Sequence, residues 1–166
     1  MPIDSYKFLP RSMRTMYEST PAIDEPPVWT PLPKPVQQCT IALMTSAGVF
    51  LKDSQEGFDE ERERQEPTWG DPTYRVIPRD VRQEQIGCSH LHISHASLLE
   101  DIDVVLPFRA FTQLEKEGAI GRLADEAYSF MGYQDRRLED WRNVQGPELA
   151  ARLKERAVDV LLLAPA

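Results

Sequence analysis

The chain has 166 residues, a net charge of −8 and a pI near 4.9, with 41% hydrophobic and 28% charged residues. That length suits one domain, and the acidic balance speaks against a nucleic-acid phosphate binder, which ordinarily carries a basic stripe. No run reaches the roughly eighteen apolar residues that a bilayer span needs, and no apolar leader marks the N-terminus. Two distant cysteines, Cys39 and Cys88, lack zinc-finger spacing and read as reduced thiols of a cytoplasmic protein.

Residues 1–38 read as an arm. Residues 5–17 hold a short amphipathic pattern of Phe8, Leu9, Met13, Met16 and Tyr17, broken by Pro10. Six prolines then fall between Pro21 and Pro35, with Trp29 among them. Proline fixes φ and removes a donor, so this stretch favours extended backbone. It reads as a connector that packs Trp29 and Leu32 onto the body or a partner subunit, in preference to an SH3- or WW-type ligand.

The body, residues 39–166, begins with a buried strand near 40–45. Thr45, Ser46, Ala47 and Gly48 follow it. Small residues after a strand let backbone N–H groups and hydroxyls approach an anion; the plain alternative is that Gly48 makes the turn. Residues 52–71 form a long polar excursion in which DEERERQE (59–66) reads as a solvated helical turn or loop. A loop of this length is often functional, as a lid for example. Residues 69–72 (WGDP) make a turn, and a second strand is expected near 73–77.

The stretch IGCSHLHISH (86–95) carries the most chemistry. As a strand over 88–93 it puts Cys88, His90 and His92 on one face. Metal binding by these with His95, helped by Asp101 or Asp103, is one reading. Yet alternate strand side chains lie about 7 Å apart, which is long for a shared tetrahedral ion. Proton transfer by His90 or His92 beside a substrate is another, and hydrogen bonding at a sheet edge or loop cap is the plain one. A helix follows over 107–117, begun by Pro107 and stopped by Gly118. Residues 119–132 look irregular, with Tyr128 and Met131 as pocket wall or as core. A last helix spans 147–156 and leads into VDVLLLAPA (158–166), whose strand over 158–163 reads as buried on both faces of a parallel sheet. The expected fold is therefore α/β and three-layered, with a mostly parallel sheet. In such sheets ligands collect beyond the carboxyl ends of the strands.

Several stretches together resemble the selenoprotein B subunits of the glycine, sarcosine, betaine and D-proline reductases. They are TSAGVFLK (45–52), WGDPTYRVIPRDV (69–81), HLHISHASLLEDIDVVLP (90–107), EGAIGRLADEAYSFMGY (117–133) and PELAARLKERAVDVLLLAPA (147–166). GDPxYRVIP with YSFMG is the specific combination. The resemblance implies thiol- or selenol-dependent reductive cleavage of an amino acid or related amine. It implies a selenocysteine or cysteine just after the last strand, a thiol reductant protein and other reductase subunits as partners, and no cofactor within these residues. Thr45, Ser46 and Gly48 would hold the substrate anion, with His90 or His92 as proton-transfer groups and Tyr128 and Met131 as wall.

The chain departs from the family at the decisive point, because it ends at Ala166 where the reactive pair is expected. Either an in-frame UGA codon was read as a stop, leaving the sheet incomplete and the fragment inactive, or this is a half-length paralogue. The first is the preferred expectation, since a buried strand with no following helix leaves apolar surface uncovered. Around His95 the family often carries more acidic residues, so substrate specificity stays open. A non-catalytic binding or assembly module, associating through the sheet edge and the arm as a homo-oligomer, is the alternative to the reductase.

Overall fold

The computed structural model describes residues 9–18, 30–66, 69–134 and 138–166. The chain divides into residues Met1–Pro31 and Leu32–Ala166. In the first unit Pro10 precedes helix α1 (Arg11–Glu18), whose first turn is closed by the Arg14 N–H on the Pro10 carbonyl at 3.0 Å. Trp29 lies outside the described residues.

In the second unit, Leu32 is about half exposed. A single 3₁₀ turn (Val36–Gln38) then brings the chain to β1 (Thr40–Thr45), the axis of the main sheet. On one side β1 pairs in parallel first with β5 (Arg122–Leu123) and then with β6 (Glu126–Phe130). On the other it pairs in parallel with β7 (Val160–Ala164) over five residues, from Ile41 opposite Val160 to Thr45 opposite Ala164. Strand β3 (Tyr74–Pro78) adds to β6 antiparallel and closes that edge. The fold is thus α/β with a mostly parallel sheet.

The sequence explains this arrangement through alternation. In β1, Leu43 faces one core, with Ile77 of β3, Ala127 of β6 and Leu106. Ala42 and Met44 face the other, with Tyr128 and Leu149. A strand packed on both sides reads as a continuous apolar run, and TIALMT is one. The first core is filled by the short helix α3 (Ala96–Glu100), the 3₁₀ turn Ile102–Val104 and α4 (Phe108–Lys116). The second is filled from a helix that begins as α5 (Leu138–Asp140), widens into a π turn (Trp141–Gln145) and continues as α6 (Gly146–Glu155). Pro147 has no N–H to give, which suits it to the first turn of α6.

Three expectations are corrected. The stretch 88–93 is not a strand: the strand is β4 (Ile86–Cys88), antiparallel to β2 (Val49–Leu51) in a separate ribbon. Beyond it the Ser89 N–H turns to the Gly48 carbonyl, and His90 Nδ1 takes the His92 N–H. Side-chain-to-backbone bonding of that kind competes with a ladder. Residues 126–130 are not irregular but a central strand. Its alternation of Ala127 and Ser129 with Tyr128 hides the usual apolar signal, because two of the inward residues are small. Lastly, β7 is not buried on both faces. It is an edge strand, with Leu162 37% and Leu163 64% exposed, since no described residue pairs with its outer side and α6 covers only its start.

Asp159, the lone charge before β7, has a clear job. Its Oδ2 accepts the Thr40 N–H at 2.8 Å and meets Lys34 Nζ at 2.8 Å, while its own N–H donates to the Thr40 carbonyl. Lys34 first, and the backbone amide second, hold this carboxyl below the usual aspartate range. The β1–β7 ladder is thereby locked at its entry.

The edge position of β7 makes a contrast that urea denaturation reads directly. Leu43→Ala should cost about 3 kcal/mol, the ordinary loss for a fully buried leucine. Leu163→Ala, at a mostly exposed position, should cost about 0.5 kcal/mol or less. Equal losses would contradict the edge assignment.

Candidate functional site

Strand β1 delivers its last residues to a crowded junction. Thr45 is fully buried and its Oγ1 accepts the Ala47 N–H at 3.2 Å. Gly48 takes φ of +64°, and a Cβ there would lie 2.4 Å from the Ser89 carbonyl oxygen, so only glycine fits. Its N–H donates to the Phe130 carbonyl at 3.0 Å, and its carbonyl accepts from Ser89 at 2.9 Å. The Ser46 carbonyl accepts the Gly132 N–H at 3.2 Å, and Ser46 Oγ accepts the Ala166 N–H at 2.9 Å. One turn therefore binds the ends of β6, β7 and β4 together.

These segments frame an open cleft of about 500 Å³ lined by Ser46, His90, His92, Phe130, Gly132 and Tyr133, with Pro165 and Ala166 at its edge. A smaller, wholly apolar annex of about 220 Å³ adjoins it, formed by Met44, Phe130, Leu163 and Pro165. A larger groove of about 530 Å³ lies along α4. Several of its charges satisfy one another: Arg79 pairs with Glu115, and Arg109 with Asp101 and Asp103.

His90 and His92 enter the first cleft from the turn after β4, in different states. His90 is 4% exposed. Its Nδ1 accepts the His92 backbone N–H at 3.1 Å, so its neutral proton sits on Nε2. Burial first, then His92 and His95, push its pKa below the ordinary 6.5. His90 is accordingly a neutral hydrogen-bond donor. His92 has 57% of its side chain exposed and packs its ring 5.6 Å from Tyr133 and 5.9 Å from His90. Its Nε2 lies 3.3 Å from Oε1 of Glu63, on helix α2 (Glu60–Gln65). His95 Nε2 donates to the His90 carbonyl at 2.6 Å and serves the turn's shape.

Of the sequence-derived candidates, Ser46, His90 and His92 converge on the cleft. Thr45 and Gly48 lie beneath it with their polar groups committed to the turn. Tyr128 and Met131 are buried in the core and do not line it; Phe130, Gly132 and Tyr133 form the wall instead. Strand pleating alone cannot tell which residues beyond a strand end turn outward. Cys88 donates to the Ala47 carbonyl at 3.3 Å, and burial, with Glu60 adding, pushes its thiol up to about 11. A thiol so raised is neither a ready nucleophile nor a ready ligand. Cys39 is buried against the carbonyls of Lys34 and Pro35. Among the described residues no group of three or more His, Cys, Asp or Glu is placed to hold a metal ion, which removes the Cys88–His90–His92–His95 metal site. Sequence reasoning missed Glu63, which looked like one more solvated charge in DEERERQE and is only 3% exposed.

The family described as glycine/sarcosine/betaine reductase selenoprotein B matches residues 10–166. The chain is 35% identical over 141 residues to the D-proline reductase subunit gamma of Acetoanaerobium sticklandii, covering 85% of this chain and 54% of that protein. It thus spans about half the length of this curated relative. No solved structure matches the chain. Among the described residues no helix is long and apolar enough to cross a membrane.

The tautomer and burial of His90 predict a titration. Followed by NMR across pH 4 to 8, roughly the range histidines sample, its ring should be less than half protonated at 6.5, where an unperturbed histidine is half protonated. The unfolded chain binds that proton more readily than the folded one. His90 therefore withdraws stability as pH falls below 6.5 toward its folded pKa. A His90 midpoint at or above the ordinary value would refute the assignment.

Proposed function

The chain belongs to the glycine/sarcosine/betaine reductase selenoprotein B family, and we propose that it binds the small amino acid or related amine on which such a reductase acts. The observation that carries this is the cleft at the carboxyl ends of three parallel strands, where Ser46, His90 and His92 meet. That is where open α/β sheets hold their ligands.

Roles follow from the chemistry of each group. His90 offers Nε2–H and Ser46 its hydroxyl proton, two neutral donors suited to a substrate carboxylate. The apolar annex takes the carbon skeleton. Reductive cleavage of a carbon–nitrogen bond leaves an amine that needs a proton. His92, half in solvent, is the group that supplies and recovers it. Thr45 and Gly48 act at one remove by holding Ser46 in place.

The family implies a selenocysteine or cysteine, and this reading places it beside Ala166. The residues present fit such a group: Pro165 and Ala166 edge the cleft that holds both histidines, and the Ala166 amide is pinned to Ser46. The selenol or thiol supplies the reducing equivalents. Cys39 and Cys88 are unsuited to that role, so residues 1–166 alone bind substrate without turning it over. A thiol reductant protein and further reductase subunits complete the system in this proposal. The body is proposed to be three-layered, with helices over both faces of the sheet.

An NMR titration of the chain with glycine, sarcosine, betaine and D-proline tests the reading. At tens of millimolar, well above about 1 mM, the upper end of ordinary KM values, at least one should shift the amides of Ser46, His90, His92 and Gly132. Ser46→Ala should weaken that ligand by about tenfold, the worth of a hydrogen bond to a charged group. Silence with all four ligands, or shifts confined to the groove along α4, would overturn it.

A further inference from the structure

We infer that Glu63 is a positioning residue for His92: its buried carboxylate holds the imidazole by Nε2 and leaves Nδ1 as the proton-carrying atom of the cleft. This rests on the reading of His92 as the proton-transfer group.

Helix α2 makes the inference sharp because its other charges serve each other. Arg64 pairs with Glu60 at 2.6 Å, Arg62 with Glu66 at 3.1 Å, and Gln65 bonds Glu61 at 2.7 Å, all across one turn. Such surface pairs are worth little individually, but they account for every charged residue of the helix except one. Glu63 turns inward and is 3% exposed, and its Oε1 has no aligned hydrogen-bond partner. An isolated buried carboxylate is costly unless it is neutralised or paired. The group available to Oε1 is His92 Nε2 at 3.3 Å, near enough for an ion pair when the ring is protonated though not aligned for a hydrogen bond. Catalytic contacts are often looser in the free protein and tighten on binding.

The rest of the surroundings hold His92 for this use. Its backbone N–H is taken by His90 Nδ1, and its ring lies against those of Tyr133 and His90. Its Nδ1 makes no hydrogen bond to any described residue, and the side chain's exposure lets solvent return a proton. Burial raises the Glu63 pKa while His92 lowers it, so each group's charge depends on the other's. Glu60 and Arg64 face the pair from α2, His90 and His95 from the histidine turn, and Tyr133 from beyond β6.

The test is a carboxyl carbon-13 NMR titration of the full 166-residue chain and its His92→Asn variant, without ligand. The substitution alters an exposed side chain and removes the group that lowers the Glu63 pKa. The Glu63 carboxyl should therefore titrate higher in the variant than in the parent, while the exposed carboxylates of α2 keep their midpoints. A Glu63 midpoint unmoved by the substitution would overturn the inference. The readout is ligand-free, so a failure here leaves the substrate titration standing, and failure of that titration leaves the pair standing.

Discussion

The whole arrangement depends on the turn that follows β1. A left-handed Gly48, pressed against the Ser89 carbonyl, lets a single turn bond three separate segments, two through its backbone and the third through the Ser46 hydroxyl. Phe130 and Gly132 come from the end of β6, Ser89 from the end of β4, and Ala166 from beyond β7. Without that turn the parallel strands would still pair, but their carboxyl ends would have no common rim. The cleft follows from the geometry of this turn and from one side chain on it, Ser46.

Charges in this protein work mainly as ties. Asp159 fastens β7 to the entry of β1 and to Lys34. Arg75 reaches from β3 to the carbonyls of Glu56 and Gly57 and stacks 4.3 Å over Phe58, so the polar excursion after β2 is anchored on the sheet. Asp71 takes the Asp59 N–H at 3.1 Å and thereby sets the start of α2, while Gln134 bonds the carbonyls of Asp71 and Met131. Through this chain of contacts α2 is delivered to the histidine turn, and Glu63 arrives beneath His92. The described part of the excursion is thus tied to the sheet and to Asp71.

Local signals were enough for much of this. The run TIALMT announced a central buried strand, and Pro107 with Gly118, whose φ is +68°, bracketed α4. The family resemblance was also legible, and of the site candidates Ser46, His90 and His92 line one cleft. What escaped was decided by tertiary contact. Small residues in β6 masked its alternation, and the His90 Nδ1 bond replaced a strand by a turn. The exposure of β7 depends on what lies beside it, which its own apolar sequence cannot state. Glu63 gave no sign, because an inward carboxylate in a run of outward ones has the same letter as its neighbours.

The central claim is that the turn after β1 assembles the cleft, and hydrogen exchange on Gly48→Ala tests it most directly. The added Cβ meets the Ser89 carbonyl, so the turn must give way. Local openings have their own free energies, separate from global unfolding. The account predicts that the Ser89, Gly132 and Ala166 amides, each bonded to the turn, lose about tenfold or more in protection, while the amides joining β1 to β7 lose much less. Unchanged protection at those three positions, or a uniform loss throughout the sheet, would contradict it.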